Sequence, residues 1–116
     1  MRHERKLVGR VERRRLEGGA VVRLEYPPFH VLVALVDETP CAIEDACNHA
    51  GASLSEGKRE GGLVACPMHG YMFELATGQL VSPAGLCPNQ RPFVARVVGE
   101  EVVVWEDDPP AVILGP

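Results

Sequence analysis

The chain has 116 residues and a mass of 12.6 kDa, enough for one sizeable core and not for two. That size excludes a multi-domain oxygenase, a kinase or a dinucleotide-binding dehydrogenase, and 46% hydrophobic against 24% charged residues excludes a disordered chain. The net charge of −4 is unevenly spread: residues 1–15 hold seven Arg or Lys against two Glu, and the rest is acidic, which argues against a nucleic-acid partner.

In chain order, the basic arm comes first, broken by Leu7, Val8 and Val11, and reads as a solvated edge segment with a first strand over Leu7–Val11. After the Gly18-Gly19 turn, residues 20–24 (AVVRL) form a strand that ends at Tyr26-Pro27-Pro28, because proline cannot continue a central ladder. His30–Val36 reads HVLVALV, a β-branched run short enough for a buried strand. Asp37-Glu38-Thr39-Pro40 turns it into Cys41–Glu44, where Cys41 alternates with Ile43 as a small buried hydrophobe.

Residues 45–62 are turn-rich, and Gly61-Gly62 opens a strand over Leu63–Ala65. Tyr71–Leu75 pairs with Gln79–Val81 across Ala76-Thr77-Gly78, and residues 82–92 (SPAGLCPNQRP) form a rigid irregular loop. Phe93–Val98 and Val102–Trp105 flank Gly99-Glu100-Glu101 as a last hairpin, with Phe93 and Trp105 as core anchors. No segment keeps a helical period over three turns, so the expectation is an all-β antiparallel sandwich or barrel. It forms a single domain over residues 1–116, with 1–6 and 107–116 as loosely attached ends. Neither an 18-residue apolar run nor a signal-peptide stretch is present, so the expectation is a cytoplasmic protein without a membrane partner.

The chemistry sits in two short motifs. Cys47-Asn48-His49 is C-x-H, and Cys66-Pro67-Met68-His69 is C-x-x-H, with sixteen residues between His49 and Cys66. In a chain without an export signal, clustered Cys and His point to metal rather than to disulfides. Two thiolates and two imidazoles suit a tetrahedral zinc or an iron–sulfur cluster of mixed ligation. Zinc fingers place Cys with Cys and His with His, whereas here each arm carries one of each. A two-iron cluster accommodates that pairing. A Cys–His nucleophilic pair would leave the duplicate pair without a role, so no catalytic residue is assigned.

The stretch Cys47–Gly70, CNHAGASLSEG…CPMHG, resembles the Rieske [2Fe–2S] family, especially the small soluble Rieske-type ferredoxins of oxygenase systems. The continuation YMFELATGQL is similar to that family's aromatic strand and Thr-Gly hairpin, and the likeness covers about residues 20–106. It implies one [2Fe–2S] cluster per chain at a tip formed by two loops, with Cys47 and Cys66 on one iron and His49 and His69 on the other. It also implies a one-electron carrier, not itself an enzyme, that passes electrons from a flavin-dependent reductase to a terminal oxygenase or similar acceptor. The alternative is the small Rieske-like subunit of an assimilatory nitrite reductase or another larger oxidoreductase.

Two ferric ions, two sulfides and two thiolates sum to zero charge when both imidazoles are neutral. That is why histidine ligation raises the potential to roughly −150 to +300 mV, against about −400 mV for plant-type ferredoxins. High-potential members add a disulfide between the loops at the positions of Ala52 and Met68, which cannot form here. Their sulfur-contacting hydroxyls are replaced by Tyr71 and Phe73, so the low end of the range is expected. Gly51 and Gly70 are expected to permit close backbone approach, Pro67 to stiffen its loop, and Leu54, Met68 and Pro88 to shield the cluster. Cys87, in the proline-bearing loop, reads as a packing residue, and His30 as a capped or solvated ring.

Overall fold

The computed structural model describes residues 5–27, 29–46, 52–68, 70–82 and 89–107. Ten strands lie among them. The first four are β1 (Arg5–Glu12), β2 (Val21–Tyr26), β3 (Phe29–Val36) and β4 (Thr39–Glu44). Four short ones follow, β5 (Arg59–Glu60), β6 (Leu63–Ala65), β7 (Met72–Glu74) and β8 (Leu80–Ser82). The last hairpin is β9 (Pro92–Val98) with β10 (Glu101–Asp107). Two 3-10 segments, Arg13–Gly19 and Leu54–Glu56, accompany them. Every pairing is antiparallel: a six-stranded sheet ordered β1-β10-β9-β4-β3-β2, and a four-stranded sheet ordered β5-β6-β7-β8. The large sheet curls towards closure, because Gly9 of β1 lies against β2: a Cβ there would stand 3.3 Å from Leu24 Cδ1. The expected all-β antiparallel architecture is the one observed.

The small sheet is inserted between β4 and β9, and β3 lies at the join. Val31, Val33 and Leu35 face the interior of the large sheet with Val11, Leu16, Ala42, Phe93, Val102 and Val104. Leu32 and Ala34 point the other way, to a second apolar cluster with Ile43, Leu54, Val64, Phe73, Leu75 and Leu80. A strand covered on both faces has no polar side to show, which is why HVLVALV carries no alternation. Arg59 fastens β5 across the join, donating through Nη2 to the carbonyl of Leu35 and through Nε to that of Gly61.

Several local expectations change. The first strand begins at Arg5, not Leu7; Arg5 and Lys6 pair with Asp107 and Glu106, so these residues at the expected loose ends are strand. The basic run Arg13-Arg14-Arg15 opens a 3-10 segment whose Leu16 is 1% exposed and plugs the large-sheet core. The β3–β4 turn is only Asp37-Glu38, both at positive φ (50° and 69°), as a two-residue hairpin with right-twisted strands requires. Glu38 accepts from Arg13, which ties that turn to the 3-10 segment. Trp105 is not a core anchor. Its neighbours Val102 and Val104 take the inward positions of β10, and Trp105 pairs with the exposed Leu7 on the outer face. Phe93 is buried in the core as expected.

Candidate metal centre

Of the four expected ligands, Cys66 lies among the described residues; Cys47, His49 and His69 lie outside them, as do Gly51, Cys87 and Pro88. What the structure describes is the frame that holds the two loops. The first loop leaves β4 at Glu44. Asp45, 1% exposed, then grips the returning chain: its carbonyl accepts from Leu54 N (2.7 Å). Its carboxylate accepts from Ser55 N (2.7 Å) and Ser55 Oγ (3.2 Å). One residue further out, Ala46 and Ser53 form a β-bridge. Residues 47–52 are therefore spanned by a closed base. Arg23 Nε, 4.0 Å from Asp45 Oδ2, supplies the opposing charge that a buried carboxylate needs.

The second loop connects β6 to β7. Cys66 N donates to Tyr71 O (2.7 Å) and Gly70 N donates back to Cys66 O (2.8 Å). Gly70, at φ +74°, occupies the left-handed region that this tight return requires. Cys66 is 1% exposed and belongs to the apolar cluster that includes Leu54 and Phe73, with Ala52 and Tyr71 packed at its border. Met68 is 63% exposed and does not cover the loop from within, whereas Leu54 is fully buried.

Two glycines bring the frames together. A Cβ on Gly57 would stand 1.8 Å from Ala65 O, so only glycine lets the chain leaving the first loop lie against the strand that delivers Cys66. Ala65 N closes the contact by donating to Lys58 O (2.8 Å). Gly78, at φ +80° in the β7–β8 hairpin, would carry a Cβ only 2.2 Å from Gln90 O. Gln90 in turn reaches the first loop: its Nε2 donates to Glu44 O (2.9 Å) and Ala46 O (2.6 Å). Motif spacing gave no sign of Asp45 or Gln90 and read Gly78 only as a turn residue, because the contacts of these residues and of Gly57 are made between separate segments of chain. Their side chains, or the lack of one, are read only in three dimensions.

This frame fits a group held by sulfur on the inside and by imidazole from the same two loops. Cys66 places one thiol at the apolar base, and the sequence puts a second thiol and one imidazole in the loop anchored by Asp45. Among the described residues no group of three or more His, Cys, Asp or Glu forms another metal site. Cys41 is of a different kind. It is buried on the same cluster, and burial pushes its thiol pKa up, with Arg59 opposing and Glu74 reinforcing. His30 is half-buried, with its Nδ1 accepting from Tyr26 N at 3.3 Å, a capped ring.

Beside the loop bases, the open end of the large sheet carries an ionic and aromatic network. Glu106 accepts from Tyr26 Oη and from Arg91, and it lies below the usual carboxylate pKa, chiefly through the Tyr26 bond and then through Arg91 and Lys6. Lys6 lies over the Tyr26 ring and Arg91 over that of Phe93, while the two rings meet edge to face at 6.3 Å. The network joins β1, β2, β9 and β10 where Arg91 follows Gln90.

The Rieske [2Fe-2S] domain family matches residues 6–85, a span that contains both motifs. The ferredoxin component of biphenyl 2,3-dioxygenase from Rhodococcus jostii is 37% identical over 90 residues, 77% of this chain and 82% of that protein. The biphenyl dioxygenase ferredoxin subunit of Pseudomonas sp. strain KKS102 is 31% identical over 74% of this chain and 79% of its own length. Among solved structures, a chain in the complex of reduced oxygenase and oxidized ferredoxin in carbazole 1,9a-dioxygenase superposes with a TM-score of 0.78 at 29% identity. That match covers 91% of this chain and 97% of the other. The ferredoxin of carbazole 1,9a-dioxygenase from Nocardioides aromaticivorans IC177 follows with a TM-score of 0.75 at 25% identity over 85% of this chain and 96% of its own. A mixed Cys/His pair on each of two loops, an all-β frame that holds those loops together, and these likenesses agree: the chain belongs to the Rieske [2Fe–2S] family.

Proposed function

We propose that the protein is the ferredoxin component of an oxygenase system, holding its [2Fe–2S] cluster through Cys47 and Cys66 on one iron and His49 and His69 on the other. The cluster supplies a site that gains and loses one electron. The chain supplies the rest: two loops fixed by buried polar contacts, an apolar base at Cys66, and an exposed surface at Met68 on the second loop. It would draw electrons from a flavin-dependent reductase and hand them to a terminal oxygenase, in the cytoplasm. None of its described helices is long and apolar enough to cross a membrane.

The observation that carries this reading is the match of whole lengths. The ferredoxin component from Rhodococcus jostii is covered over 82% of itself, a likeness over nearly the whole of a separately named component, which supports a carrier. In the carbazole system, ferredoxin and oxygenase are separate chains that form a complex. The test is recovery of the protein from native lysate. Transient, salt-sensitive association with an oxygenase supports the carrier. A tight stoichiometric complex with a large reductase subunit would favour instead the subunit role in a nitrite reductase or similar enzyme.

A further inference from the structure

Two polar or charged side chains are fully buried among the described residues, Asp45 and Gln90. Asp45 closes the base of the first loop upon itself, as described above. Gln90 does something different, because it lies on neither loop. It follows the segment after β8, is 1% exposed, and spends both hydrogens of its amide nitrogen on two carbonyls of the first loop's incoming strand, Glu44 and Ala46. Its own backbone N donates to Gly78 O (2.7 Å), in the hairpin that continues from the second loop. Glu44 N donates to Arg91 O (2.8 Å), which doubles the link to the first loop. Gly78 has no Cβ, and the 2.2 Å that would separate one from Gln90 O shows how closely the two backbones are pressed.

We infer that Gln90 is a positioning residue that sets the spacing between the two ligand loops, by joining the incoming strand of the first to the hairpin of the second. The inference rests on the ligand reading given above. Each loop is closed on itself by its own contacts, Ala46 with Ser53 and Cys66 with Tyr71 and Gly70. Such contacts fix the shape of a loop and leave its distance from the other loop open. Gly57 against Ala65 fixes that distance on one side, and Gln90 fixes it on the other. A bond angle at a metal pair depends on both. Residues behind metal ligands orient them, and their loss costs roughly 10- to 100-fold in metal affinity.

The experiment replaces Gln90 by Met, which keeps the volume and removes both donors, in the full chain with its cluster. The far-end core variant Leu16→Ala serves as a control for mere destabilisation. Gln90→Met should lose its cluster faster than the wild type. Its EPR g-values after reduction should shift or broaden, and amide exchange should rise at Gln90 and Glu44. Leu16→Ala should leave the g-values in place. Should Gln90→Met fail to fold, Gln90→Glu, which sets a carboxylate against the same two carbonyls, carries the same expectation. Wild-type g-values and cluster lifetime in the Gln90 variant, or an equal shift in Leu16→Ala, would overturn the inference. The ligand reading fails separately, if the wild type itself gives no Rieske signal. In that case unchanged amide exchange at Gln90 and Glu44 in the variant still refutes the link, and raised exchange at Leu16 alone does so too.

Discussion

At the scale of single residues, the second loop sets the electronic character of the centre. Tyr71 is half-buried at the border of the apolar cluster, and Phe73 is fully enclosed within it without a hydroxyl to offer. A ring of carbon in place of a donor leaves negative charge on nearby sulfur less stabilised, and that makes the centre harder to reduce. Ala52 and Met68 are not cysteines, so no disulfide joins the loops at these two positions, and hydrogen bonds and packing hold the described parts of the loops. Film voltammetry near neutral pH should therefore give a midpoint below about 0 mV, in the low part of the Rieske range. Phe73→Tyr should move it upward. A wild-type midpoint well above zero would refute the role given to these side chains.

At the scale of elements, the contacts between neighbours decide which changes are tolerated. Gly78→Ala puts a Cβ at φ +80° and 2.2 Å from a backbone oxygen, which no rotamer can relieve. It should cost about 2–4 kcal/mol in chemical denaturation, from the strain and the overpacking together. Gly99→Ala, also at positive φ but with nothing within 4 Å, should cost less. The open end of the large sheet responds to acid. Glu106 is held below its ordinary pKa in the folded chain, so its bonds to Tyr26 and Arg91 stabilise fully above the unfolded value of about 4.3. That contribution disappears as the pH falls through the lower folded value. Urea titrations should show a shallower loss of stability in acid for Glu106→Gln than for the wild type, and parallel curves would contradict the network. Elements with local signatures were legible in the sequence: the apolar run over residues 31–36 of β3, the Thr77-Gly78 hairpin and the last hairpin around Gly99. The 3-10 segment at Arg13–Gly19 was hidden because its single buried side chain, Leu16, sits in a run of arginines. The two-residue β5 was hidden because it is too short to show a period.

At the scale of the whole molecule, the described residues form two sheets sharing a wall, with the first loop leaving the larger sheet at β4, the second joining β6 to β7 of the smaller, and the closing network on the larger. The proposed donors were legible as motifs because chelation needs fixed spacing along the chain, and Cys47, His49, Cys66 and His69 display it. Their supports were not. Asp45, Gly57 and Gln90 work between segments eight to forty-six residues apart, and such pairings leave no period and no motif. The outward turn of Trp105 was equally unreadable, since a large aromatic on an alternating strand is compatible with either face. The central claim is that the two loops together hold two irons and two sulfides through mixed ligands, and one measurement reaches it directly. Protein purified without oxygen should contain two irons and two acid-labile sulfides per chain and, once reduced with dithionite, show a Rieske-type EPR signal that His49→Ala and His69→Ala each abolish. A colourless protein carrying zinc, or an intact signal in either histidine variant, would contradict it.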